Sequence, residues 1–383
     1  MTHRKKILIY LMIATAMIII IVKLTTKQDA ANYSELQSVN WSYNSPQKIV
    51  SSPVIYKKLM IIQTESLLIA LDLVTGNKVW ESTIFSDSGY QRNNRSANII
   101  IKGNILALQS QENIVAVYDP NEGIFLWDTY IKTLDISSAE KGNTEVYDIE
   151  IANGLVLVAR HNKNLVAYDA KSGKLVWQNT LPERTGFHIM QEKEKILVGT
   201  TYQLLIFDKL DGNLIKDYRF DNSSAALYKD QEAVYVMYMN GPCSISALDA
   251  HSLTSKWCIK PSLLDYLTGF ILMADDETSF FVANDDLLVA ISKETGQVLW
   301  NSPLSVNIQN ISVYGSSVYI SGIDTFLIVD INSGKIKKAY KALNNCSCLL
   351  GILDISNNLF DKPNSIYQID DNAIKSYELN TQN

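Results

Sequence analysis

The chain has 383 residues, 47% of them hydrophobic and 19% charged, so it can bury a sizeable core and wholesale disorder is excluded. Its formal net charge is −6. The first 27 residues hold five of the basic groups and no acid, leaving 29 basic against 40 acidic groups, a balance that speaks against nucleic acid as a partner.

The chain opens on Arg4, Lys5 and Lys6, followed by an uncharged apolar run from Ile7 to Val22 and then Lys23. The run lies between the usual lengths of a signal h-region and of a membrane span. A cleaved signal needs small residues at its end; Ala14-Thr15-Ala16 comes too early and Asp29-Ala30-Ala31 is a poor match. The favoured reading is therefore an uncleaved signal anchor, with a cleaved export signal as the alternative. Residues 1–6 are expected in the cytoplasm, 7–24 as a single-pass transmembrane helix, 25–40 as a linker and 41–383 as an extracytoplasmic domain. The first cysteine is Cys243, which removes an N-terminal lipid-bearing cysteine from consideration.

Beyond the linker one phrase recurs every 38–50 residues: an acid, a glycine four residues on, a tryptophan four beyond that. It reads Asp72-Gly76-Trp80, Asp119-Gly123-Trp127 and Asp169-Gly173-Trp177. It returns as Ser292-Gly296-Trp300, and in weaker form as Asp208-Gly212-Lys216, Asp249-Leu253-Trp257 and Asp330-Gly334-Lys338. Short alternating or apolar runs precede each copy, as in 146–152, 155–159 and 165–168, separated by polar turns. Four antiparallel strands per copy is the content of a propeller blade. The glycine supplies a positive φ in a tight turn, the acid accepts backbone amides two residues on, and the tryptophan wedges against the next blade, burying on the order of 200 Å². These are structural roles, not catalytic ones. An eighth copy is due near residue 375, where 374–378 matches the third strand but the outer strand is lacking. Trp41 stands alone upstream and can supply it, which predicts an all-β, eight-bladed propeller closed by its two ends; seven blades is the competing count.

Cys243 and Cys258 flank one hairpin almost opposite each other, as a disulfide or as two ordinary thiols. Cys346 and Cys348 lack the spacing of a thiolate metal site. No catalytic, phosphate-binding or haem motif is present, and His3, His161, His188 and His251 form no metal spacing. The acidic pairs and triplets at 275–277, 285–286 and 370–371 read as polar turns.

The phrases ALDLVTGNKVW (70–80), AYDAKSGKLVW (167–177) and AISKETGQVLW (290–300) resemble the repeat of the pyrroloquinoline-quinone (PQQ) dehydrogenase-like propellers. That resemblance implies one of two things. One branch holds PQQ and calcium in the channel; the other is non-catalytic and includes the propeller lipoprotein of the outer-membrane β-barrel assembly machine. The chain lacks the adjacent cysteines typical of the alcohol-oxidising branch, so the resemblance implies a non-catalytic scaffold, without cofactor or metal, that binds a protein or an envelope component on its loop-rich face. It also lacks the lipoprotein's lipobox cysteine. A PQQ- and calcium-dependent oxidoreductase and a small-molecule or glycan sensor are the alternatives. Long connections at 81–98, 129–145 and 340–364 emerge on one face, and the first and third offer candidate partner residues: Tyr90, Arg92 and Arg95, and Leu349 and Leu350.

Overall fold

A strand buried on both sides must be apolar throughout, whereas one facing solvent can alternate. Blade 3 follows this rule: its second strand, Leu155–Arg160, is buried along its whole length, and its outermost strand, Leu175–Thr180, alternates between buried and exposed positions. The computed structural model describes residues 33–379 apart from 35, 37–38, 85–98, 110–113, 130–145, 153, 161–162, 183–184, 221–223, 239–241, 261–271, 285–286, 305, 343–348 and 352–364.

The described residues form an eight-bladed propeller of four-stranded antiparallel blades, numbered here in chain order. Blades 1 to 7 cover 54–83, 99–128, 146–180, 185–219, 224–259, 272–303 and 308–341. In each, the chain runs from the innermost strand outwards. Blade 8 takes Leu349–Gly351, Ser365–Ile369 and Ala373–Glu378 from the C-terminal part and its outer strand, Val39–Asn44, from the N-terminal part. Trp41 pairs with Ser376, so both ends of the chain share one sheet and the ring has no open blade. In blades 1 to 7 the first and third hairpins lie on one face. The second turns and the connections between blades lie on the other.

Three stretches differ from expectation. The segment read as a linker contains Tyr33–Ser34, which adds in parallel to the outer strand of blade 7 (Ile336–Lys341), and Val39, where the outer strand of blade 8 begins. Leu36, also in that segment, is buried. Leu349 and Leu350, expected in a loop, pair with Ile369 and Gln368 as the innermost strand of blade 8, because blade 8 has no other apolar run to fill that position. The same two residues pair with Ile323 and Gly322, which joins blades 7 and 8 into one continuous sheet. No helix among the described residues is long and apolar enough to cross a membrane, and the 7–24 segment lies outside them.

Candidate functional site

The repeated residues meet between blades. Each tryptophan lies over the glycine of the following blade: Trp41 on Gly76, Trp80 on Gly123, Trp127 on Gly173, Trp177 on Gly212, Trp257 on Gly296 and Trp300 on Gly334. Five of the indoles donate Nε1–H to the carbonyl one residue past the turn's first position, at 2.8–3.0 Å: Trp41 to Leu73, Trp127 to Ala170, Trp177 to Lys209, Trp257 to Lys293 and Trp300 to Ile331. Trp80 makes no such bond among the described residues; the corresponding position is Pro120. Glycine is required twice over at Gly212. Its φ is +73°, and an added Cβ would lie 2.5 Å from Cδ2 of Trp177, with no room for the rigid ring to give.

The turns themselves are held by their acids. Oδ1 of Asp72 accepts the amides of Val74 and Thr75 and the Thr75 hydroxyl at 2.8–3.1 Å. Asp169, Asp249 and Asp330 do the same with Ser172, Ser252 and Ser333. In Asp330 these bonds, the Ser333 hydroxyl first and then Lys337, hold the carboxyl down at about 2.

A polar network with no local signature in the sequence ties blades 4, 5 and 6 together at the hairpin face. Glu192 of blade 4 pairs with Lys229 of blade 5 and lies 3.5 Å from His251 Nδ1. Lys293 of blade 6 bridges Asp230 of blade 5, at 2.8 Å, and its own blade's Asp275. Tyr235 donates to Asp230 at 2.9 Å, and Tyr228 donates to Asp275. Burial opposes the charge on Lys293, but the hydrogen bonds to Asp230 and Asp275 outweigh it and raise its pKa. Burial first, and then the neighbouring carboxylates, push both tyrosines far up, so they remain donors at any physiological pH. Every polar group named here has a partner, and the network stitches blades together.

Of the acidic clusters, 285–286 lie outside the described residues, and carboxylates of the other two are engaged in the same way. Asp276 caps the amides of Thr278 and Ser279, Asp370 caps those of Asn372 and Ala373, and Asp371 pairs with Lys48 at 3.0 Å. Among the described residues no three His, Cys, Asp or Glu side chains converge as metal ligands. Cys243 and Cys258 are joined in a disulfide that ties the turn after the second strand of blade 5 to its outer strand.

Tyr90, Arg92 and Arg95 lie outside the described residues. The wall of the propeller, by contrast, exposes apolar side chains at the position just before the tryptophan or its replacement: Val79, Leu126, Val176 and Ile215 in blades 1 to 4, and Leu299 in blade 6. Leu175, Leu210 and Leu214 widen this surface at blades 3 and 4. Blades 5 and 7 carry Lys256 and Lys337 there instead.

A search of curated proteins finds no match. Among solved structures, BamB from Moraxella catarrhalis superimposes with a TM-score of 0.66 at 13% identity, over 89% of this chain and 99% of that one. Sqt1 of Saccharomyces cerevisiae gives 0.66 at 10% identity, over 90% and 100%. The quinohemoprotein alcohol dehydrogenase ADHIIG of Pseudomonas putida HK5 gives 0.56 at 11% identity, over 92% and 79%. These likenesses are of fold alone, and the third is to an alcohol dehydrogenase. The sequence itself matches the family described as outer membrane protein assembly factor BamB over residues 25–171 and 148–344, and with its repeating tryptophan–glycine contacts the chain belongs to that family of PQQ-like propellers.

Proposed function

We propose that this chain is a non-catalytic propeller, anchored in a membrane by residues 7–24 with its ring outside the cytoplasm, that holds a protein partner during assembly of envelope or membrane proteins. The observation that carries this reading is where the polar and apolar groups lie. The buried charges Glu192 with Lys229 and Asp230 with Lys293 are paired between blades, while large apolar side chains are left on the outer wall. An enzyme site needs titratable groups converging on a space for substrate; a binding scaffold needs exposed apolar surface on a rigid frame. The family's name, an outer membrane protein assembly factor, fits the second description. The expected anchor differs from a lipid-bearing cysteine, so the partner is sought at the membrane that carries the anchor.

Titration of PQQ and Ca²⁺ into the domain from residue 28 onward, read by tryptophan fluorescence and thermal shift, tests the non-catalytic half. No saturable binding is expected; one-to-one binding with a raised melting temperature would restore the oxidoreductase reading. The partner-holding half is tested by a photo-crosslinking residue placed at Ile215, at Val176 or in the connection around Arg92. The expected outcome is one recurrent membrane-associated adduct from at least one of these positions and none from Lys256; equal, diffuse labelling from all four would overturn it.

A further inference from the structure

The outer strands do not share their charges evenly. Those of blades 1 to 4 balance, with Lys78, Lys216 and Arg219 against Glu81, Asp128 and Asp217. Those of blades 6 and 8, Val298–Pro303 and Val39–Asn44, carry no charge at all. Between them the outer strand of blade 7, Ile336–Lys341, holds Lys337, Lys338 and Lys341 and no acid, with Lys335 just before it. Beyond residue 27 the chain has 29 basic against 40 acidic groups, so this strand is a local reversal of sign. Lys337 is answered by Asp330 at 3.0 Å. Lys335 and Lys341 are exposed, and among the described residues neither pairs with a carboxylate.

The chain enters the ring at the same strand. Tyr33 and Ser34 lie beside Ala339 and Tyr340, between Lys338 and Lys341. Only residues 25–32 separate them from the expected membrane span, and a chain of that length reaches no more than about 30 Å. The lysine-bearing strand is therefore held within that distance of the bilayer, whatever path the tether takes. In an eight-bladed ring the blades opposite 7 and 8 are 3 and 4. Their wall carries the exposed Leu175, Val176, Leu210, Leu214 and Ile215. Cationic side chains thus lie on the side nearest the anchor, and the widest apolar surface lies on the side farthest from it.

We propose that the lysine wall of blade 7 docks on the headgroups of anionic phospholipid, so that the ring stands on edge with the wall of blades 3 and 4 turned away from the bilayer. This rests on the anchor proposed above. An ammonium on a flexible stem meets a headgroup phosphate without a shaped pocket, and each one near an anionic surface favours the docked state by about fivefold. A short tether keeps the wall at high local concentration beside the surface, so a few lysines suffice where an untethered protein needs more. The uncharged outer strands of blades 6 and 8 bring no carboxylate to oppose the approach.

The full chain, reconstituted in phosphatidylcholine vesicles with and without phosphatidylglycerol, tests this by lysine acetylation read by mass spectrometry. Lys171 and Lys174, exposed on blade 3, serve as the internal reference. Relative to them, Lys335 and Lys341 are expected to react at least about fivefold more slowly in the anionic vesicles than in the neutral ones at about 0.1 M salt. The protection is expected to vanish at about 1 M salt, where the screening length falls to about 3 Å. Equal rates in both vesicles, from chain that floats with both, would overturn the docking and leave the anchor standing. Protection that survives high salt would show a contact not made by charge, and would overturn it too. Chain that fails to float with neutral vesicles would overturn the anchor and the orientation together.

Discussion

The junction of blades 3 and 4 and that of blades 4 and 5 solve one packing problem in opposite ways. At the first, Trp177 reaches forward from blade 3 over the bare backbone of Gly212, and its Nε1 bonds Lys209 O at 2.8 Å. At the second, the bulk comes from the other side. Leu253, held at φ +59° and almost fully buried, fills the space from the turn of blade 5, while Lys216 only sends its ammonium to Ser252 O at 2.8 Å. Ile206 adds the volume that alanine gives up elsewhere, and Phe220 and Tyr238 supply an edge-on aromatic pair. A leucine in the left-handed region costs about 1–2 kcal/mol. The seam accepts that cost because a side chain there replaces a whole indole. The lesson is that tryptophan and glycine form one unit, usually with alanine opposite the ring (Val117 and Ser376 face Trp127 and Trp41), and that losing the ring permits changes around it.

The largest expected effect separates the two junctions directly. Trp177→Ala removes a buried ring and its hydrogen bond, and should destabilise by about 3–5 kcal/mol. Lys216→Ala at the equivalent place should cost less than about 1 kcal/mol, since only an exposed lysine-to-carbonyl bond is lost. Urea midpoints for the two variants check this; similar losses would mean that position, not the ring, carries the junction.

Next comes the glycine. Gly212→Ala combines a positive φ with a clash against Trp177, so about 2–5 kcal/mol is expected. Gly103 has a similar φ, +60°, but nothing within 4 Å of an added Cβ. Gly103→Ala should therefore cost only the backbone part, about 1–2 kcal/mol. The difference between the two isolates the contact with the ring.

A cycle at the seam itself sharpens the comparison further. Lys216→Trp alone places a ring against Leu253 and Ile206 and should destabilise by about 1–3 kcal/mol. Combined with Ile206→Ala and Leu253→Gly it should recover most of that loss, a coupling of about 1–3 kcal/mol read from thermal unfolding. Additive losses would show that the three positions do not act as a unit.

How much of this was readable in the sequence follows from spacing. Acid, glycine and tryptophan lie within nine residues of one another, so both the repeat and the blade count stood out. Trp41 could be assigned to the last blade because its partner strand at 374–378 kept the pattern. Leu253 and Lys216 were visible as departures, but they are 37 residues apart in the sequence and only packing shows that they answer each other. Glu192, Lys229, Asp230, Asp275 and Lys293 belong to three blades, and no local pattern brings them together. Tyr33–Ser34 is too short to show a strand period, so it reads as linker. Leu349–Leu350 was hidden because a strand of three residues inside a long connection has no flanking turn signature.

The smallest effect concerns the turns, which are common to both kinds of junction. Asp72, Asp169, Asp249 and Asp330 are all held below the usual carboxylate range by bonds to the turn that each one closes. A carboxylate with a lowered folded-state pKa contributes stability above its unfolded value, near 4, and that contribution is lost as pH falls through the folded value, about 2 for Asp330. Stability should therefore fall between about pH 4 and pH 2. These side chains are partly exposed at the surface, so each contribution is small and screened by salt. Blade 6 already manages with Ser292, whose hydroxyl accepts the amide of Thr295 at 3.2 Å, so the turn does not require a charge. Asp330→Asn keeps an acceptor for the Ser333 amide but cannot titrate. It should shift unfolding at pH 7 by less than about 0.5 kcal/mol and make the decline between pH 4 and 2 shallower. An unchanged slope in the acid range would mean that the acid sensitivity comes from the network of blades 4 to 6, where Asp230 is also held low by Lys293 and backbone amides against the opposing effect of its burial.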